Sequence, residues 1–148
     1  MSWAVPPAPL VENRFRSMGT DITVLVPPPD ADAHQLAFET IAEWDARFSR
    51  FSTESELSAL NRAAGRPFAA SHRLFGAAQT AVEAARATDG LFDPLLATRM
   101  IELGYDRTFD ALPLTRESRR LSAWTPGLWQ EIVFNRERRT IQLPAGYG

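Results

Sequence analysis

The sequence predicts an α+β fold: an antiparallel sheet with helices packed on it, and an incomplete sheet at that. Three observations carry this. A β-rich run, Asp21 to Val26, opens the regular part of the chain, and two later stretches repeat apolar residues at helical spacing. Near the end, "QEIVFNRERRTIQL" holds two β-like runs around a polar turn. Three clear strands are few to cover two long helices, so the domain of residues 13–148 looks unfinished.

Each element has a local reason. Residues 1–12 are Pro-rich and lack a basic region followed by an apolar one, so they are expected to form a flexible arm rather than a signal peptide. "DITVLV" is a strand that stops at Pro27-Pro28-Pro29, which cannot extend a ladder. Asp30 and Asp32 offer caps to a helix whose apolar face is Ala37, Ile41, Trp44 and Phe48. Thr53-Glu54-Ser55-Glu56 fits a capping box for a short helix ending near Asn61, and "NRAAGRP" is a turn. Ser71 caps a second long helix with Leu74, Ala78, Ala81 and Ala85 on one face and Gly90 as its stop. Pro94 marks a turn or a first helical turn. Thr115 caps a short helix through Leu121, and Asn135 to Arg138 turn the final hairpin.

Composition narrows the function classes. The 148 residues are 45% hydrophobic and 23% charged, a globular balance. The net charge of -2 argues against nucleic acid as the main partner, and Arg116, Arg119 and Arg120 read as a solvated helix face. Without cysteine there are no disulfides, thiolate metal sites or thiol nucleophiles. No apolar run reaches the roughly 18 residues that span a bilayer, and the chain as written is expected in the cytoplasm. His34 and His72 have no partner at metal-ligand spacing and read as surface residues. The phosphate-loop, dinucleotide, HExxH and GxSxG patterns are absent.

Three stretches could carry chemistry. Met18-Gly19-Thr20 puts a polarizable thioether beside a glycine that lets backbone approach a flat ligand; the plain alternative is a strand bulge with Met18 in the core. Phe51 precedes a capped helix and could stack on a ligand, or could simply staple the start of that helix. "TDGLFDPL" brings Asp89 and Asp93 around a glycine stop, with Asp93 held extended before Pro94; turn chemistry is the plain alternative. Trp124 and Trp129 flank Pro126-Gly127 and read as packing residues.

In this order, "FRSMGTDITVLV", "WDARFSRFSTESELSALN", "ATDGLFDPLLATRMIELGYDR" and "GLWQEIVFNRERRTIQLPAG" resemble the N-terminal half of the ApbE-type FAD:protein FMN transferases. The resemblance covers nearly the whole chain after Val11. It implies an enzyme that binds FAD and magnesium, splits the FAD pyrophosphate and attaches FMN to a Thr or Ser hydroxyl of an acceptor protein. The metal would offset charge developing on the pyrophosphate. It also implies flavin contacts: Met18 beside the ring, Phe51 at a position often held by tyrosine, and Leu91, Phe92 and Asp93 along the FAD. In the family, a segment like "DLGGIAKG" and the metal ligands follow a strand like "TIQLPAGYG"; neither is within these 148 residues. No catalytic or metal-holding residue is therefore assigned, and the 148 residues alone are expected to be inactive. A non-catalytic flavin-binding or trafficking protein, and a packing domain with a vestigial site, are the alternatives.

Overall fold

The computed structural model describes residues 9–28, 30–107 and 125–147. The expected helix from Thr115 to Leu121, the Arg116, Arg119 and Arg120 cluster, Trp124 and the start of the N-terminal arm lie outside them. The chain divides into two compact units, Met1–Ala46 and Arg47–Gly148.

The first unit is a hairpin and most of a helix. Strand β1 is Val11–Ser17 and β2 is Thr20–Val26, paired antiparallel from Val11↔Val26 to Ser17↔Thr20. Sequence alone puts Val11 and Glu12 in the arm and shows no strand before Ser17. "VENRFRS" carries three charges in seven residues, and the polar character of an exposed ribbon hides its strand. Met18 and Gly19 connect the strands, both at positive φ (52° and 72°), as a two-residue primed turn demands. Met18-Gly19 is therefore a hairpin tip rather than a strand bulge.

Helix α1 is Ala31–Phe48. Its half-buried face in this unit runs through His34, Ala37, Ile41 and Asp45, at i, i+3 and i+4 spacing. Trp44, expected on that face, is 40% exposed. Phe38 meets Phe15 of β1 edge-on at 5.1 Å between centroids.

The second unit holds the core. Helix α2 is Glu56–Arg62, β3 is Phe68–Ala69, α3 is His72–Ala87 and α4 is Ala97–Glu102. A short 3-10 turn, Leu128–Glu131, leads into β4, Val133–Asn135, and β5, Thr140–Gln142. The order β3-β5-β4 is antiparallel throughout, with Phe68 and Phe134 both opposite Ile141. Central β5 buries Ile141 completely, beside Leu60, Leu74, Phe75, Ala85 and Trp129. Strand β3 is invisible in the sequence, since two residues carry no periodicity.

The caps explain the boundaries. The Ser71 hydroxyl accepts from the Leu74 N–H, so α3 starts where its sequence implies. Its end is a Schellman motif: the Gly90 N–H donates to the Ala85 carbonyl and the Asp89 N–H to the Arg86 carbonyl. Asp89 itself takes the left-handed position (φ 50°), one residue before the expected glycine. All five strands are antiparallel, in two sheets among the described residues, and with the helices they make the expected α+β class. No helix among the described residues is long and apolar enough to cross a membrane.

Candidate functional site

The best-organised feature outside the core is the loop from Ser49 to Ser55, which presents Phe51. Ser55 is 1% exposed and works in two directions. Its hydroxyl donates to the Ser49 carbonyl at 2.6 Å and accepts from the Ser58 N–H at 3.0 Å. One side chain therefore caps α2 and ties down the loop before it. The capping box expected from Thr53 begins two residues too early. With Ser55 as the cap, Glu56 falls in the first turn and reaches outward.

Glu56 accepts from the Ser71 N–H and hydroxyl (2.5 and 2.7 Å) and from Arg47 Nη1 (2.8 Å). It thereby links the end of α1, the start of α2 and the cap of α3. Burial pushes its carboxyl up, but the Ser71 and Arg47 hydrogen bonds outweigh that and hold it below 4.5. The Arg62 guanidinium fixes the loop from behind, donating to the Thr53 carbonyl at 2.8 Å.

Phe51, 38% exposed, sits edge-on to Tyr105 at 5.8 Å between centroids. The Arg50 guanidinium carbon lies 4.1 Å from the Phe51 ring centroid and 4.0 Å from that of Tyr105. Arg50 Nη1 also donates to the Tyr105 carbonyl at 2.6 Å. Sequence reasoning singles out neither Arg50 nor Tyr105. The local signal nearest to them is Gly104, whose φ of 90° ends α4 in a second Schellman motif.

The turn from Leu91 to Leu95 mixes exposed and buried groups. Leu91 is 94% and Phe92 46% exposed, whereas Asp93 is 7% exposed. The Asp93 carboxylate accepts from the Leu95 N–H at 2.8 Å, closing the turn over Pro94. The Phe92 N–H donates to the Thr88 hydroxyl at 3.1 Å. Asp93 thus shapes the segment, and the apolar side chains face outward. Asp89 is exposed.

Met18 belongs to the first unit, at the hairpin tip, and is 54% exposed. Asp45 of α1 latches this tip, accepting from the Ser17 hydroxyl (2.9 Å) and the Met18 N–H (3.1 Å). His34 is half-buried, contrary to its surface reading, because it falls on the inner face of α1. Both its ring nitrogens are buried without a partner among the described residues, beside a cavity of about 420 Å³ lined by Val11, Glu12, Val26 and Pro27.

Elsewhere in the second unit, a cleft of about 660 Å³ is lined by Arg86, Asp89, Gly90, Trp129 and Phe134. Trp129 is 6% exposed, which fits its packing role. A Cβ at Gly90 would lie in ordinary van der Waals contact with the indole nitrogen, at 3.5 Å. Among the described residues, no three acidic or histidine side chains converge as metal ligands would.

Comparison with known proteins agrees with this architecture. The ApbE family model matches residues 18–145. The ApbE protein of Thermotoga maritima superposes with a TM-score of 0.74 at 16% identity, over 93% of this chain and 46% of that one. The apo form of the Pseudomonas stutzeri flavinyl transferase ApbE gives 0.74 at 16%, over 98% and 50%. The chain thus spans about half the length of these structures. No curated protein sequence matches significantly.

Proposed function

Because the chain belongs to the ApbE family, we propose that it is the flavin-binding portion of an FAD:protein FMN transferase. The observation that carries this is a set of outward apolar side chains on pinned backbone. Phe51 stands on a loop fixed by Ser55, and Leu91 and Phe92 stand on a turn fixed by Asp93. Exposed aromatic and aliphatic groups on rigid supports suit a flat ring, which gains by stacking without an ordering cost.

The residues present fit a flavin. Phe51 would stack on its ring, and Leu91 and Phe92 would cover further apolar surface. The resemblance also implies a flavin contact for Met18, which is exposed at the hairpin tip of its own unit. Asp93 acts through the backbone it holds, since its side chain is buried and Oδ1 accepts from the Leu95 N–H. Bound FAD would be the FMN donor, and the acceptor would be a protein Thr or Ser hydroxyl. The described residues do not make a magnesium site, so no catalytic step is drawn through a metal here.

The test is direct. FAD added to the full-length protein should lose fluorescence on binding, and Phe51→Ala should weaken binding about tenfold. Incubation with FAD, magnesium and a Thr-bearing acceptor, followed by mass spectrometry, should give an FMN phosphoester with the full-length protein. Binding without transfer by the full-length protein would make it a flavin carrier, and absence of binding would overturn the proposal.

A further inference from the structure

Arg50 joins two parts of the second unit that are each independently fixed. On one side is the loop from Ser49 to Ser55, tied at both ends by the Ser55 hydroxyl. On the other is Tyr105, which follows α4 at a defined place because its N–H donates to the Met100 carbonyl, closing the Schellman motif at Gly104. Arg50 spans the gap with one hydrogen bond and two ring contacts.

This arrangement is a poor choice if stability is its only purpose. The Nη2 of Arg50 is buried and has no partner among the described residues. A buried donor left without an acceptor is unfavourable, and an apolar side chain of similar size would avoid that cost. What Arg50 supplies, and an aliphatic residue would not, is a cation close to two aromatic rings.

We infer that Arg50 is a positioning residue for Phe51: its guanidinium closes one face of the ring and leaves the opposite face to a flat ligand. The inference rests on the flavin reading of this loop and adds to it a mechanism of one-sided stacking. The Tyr105 ring, set edge-on at 72° to Phe51, limits rotation of the ring about its own axis. A ligand stacking on Phe51 therefore meets a ring held in one plane, with a positive charge behind it. A flat ring system such as an oxidised flavin would then stack on one face of Phe51 rather than on either of two.

The experiment uses the full-length protein with FAD as probe, and five variants: Phe51→Ala, Arg50→Ala, Arg50→Gln, Tyr105→Phe and Tyr105→Ala. The primary readout is the visible circular dichroism of FAD at saturation, which reports ring orientation and which simple loss of stability does not alter. Arg50→Ala should change that spectrum and weaken FAD binding about fivefold. Arg50→Gln keeps a planar donor but loses the charge, and should restore only part of the wild-type spectrum. Tyr105→Phe retains ring and carbonyl and should match wild type. Without flavin, the Arg50 side-chain protons should resonate upfield, shielded by both rings, and Tyr105→Ala should remove part of that shift. If Phe51→Ala weakens binding while Arg50→Ala leaves spectrum and affinity unchanged, the positioning role is overturned and the flavin reading stands. If Phe51→Ala has no effect, the flavin reading of the loop fails, and the positioning role with it.

Discussion

The two units hold their candidate ligand contacts by different means. In Met1–Ala46 the tip bearing Met18 depends on a seven-pair backbone ladder and one carboxylate latch, and none of the described side chains there is fully buried. In Arg47–Gly148 the sheet ladders are only two and three pairs long, yet ten apolar residues among those described form a buried core. Hydrogen bonds exchanged with water contribute little net stability each, whereas buried apolar area contributes steadily. Met18 is therefore placed by turn geometry, and Phe51 by packing relayed through Ser55 and Glu56. A change that disturbs one should leave the other's local structure largely intact.

The largest expected effect comes from the core. Ile141→Ala opens a cavity at the centre of the β3-β5-β4 sheet and should cost about 2–5 kcal/mol in denaturant unfolding. An equal loss from Leu25→Ala, on the exposed hairpin face, would mean that the contrast between the units is false.

Asp93→Ala comes next. It leaves the Leu95 N–H without its acceptor and should cost about 1–3 kcal/mol. In FAD titration it should weaken binding more than Asp89→Ala, because Asp93 sets the turn that bears Leu91 and Phe92. Equal weakening would count against that turn as a contact.

Acid should act on the second unit through Glu56. Its folded pKa is depressed, so its contribution is complete above the unfolded value of 4.5 and disappears as pH falls through the lower folded value. Glu56→Gln should therefore be less stable than wild type at neutral pH. The gap should narrow as the pH is lowered through and below 4.5, as thermal melts across that range would show.

Two smaller effects belong to the hairpin. Asp45→Ala should speed amide exchange at Met18 and cost about 1 kcal/mol, whereas Asp45→Asn should keep part of the protection, since an amide oxygen still accepts. Met18→Asn should stabilise the tip by about 0.5 kcal/mol, because Asn tolerates the left-handed region better. The same substitution should weaken FAD binding. Tighter binding would show that the thioether is not a contact.

How much of this is visible in the sequence depends on distance along the chain. Ser71 as a cap, the stop near Gly90 and the hairpin turned at Asn135 are all legible, since each is decided within about five residues. The Arg138 N–H indeed donates to the Asn135 side chain at 2.9 Å. Phe51, Leu91 and Phe92 can be marked as aromatic or apolar residues at odd places, but which way they face cannot. The carboxylate of Asp93, in the segment that the resemblance sets along FAD, is buried and accepts from the Leu95 N–H of its own turn.

By itself the sequence determined the α+β class, helices α1 to α3, the final hairpin and the family resemblance that the ApbE model bears out over residues 18–145. Only the tertiary structure decided the partners of those elements. Asp45 reaches Ser17 across 28 positions, Glu56 reaches Ser71 across 15, and Arg50 reaches Tyr105 across 55. The physical reason is that caps and turns satisfy backbone groups with near neighbours, so local sequence suffices. A carboxylate latch or a guanidinium between two rings forms only after burial has brought distant segments together, and no periodicity in the chain records which segments those will be.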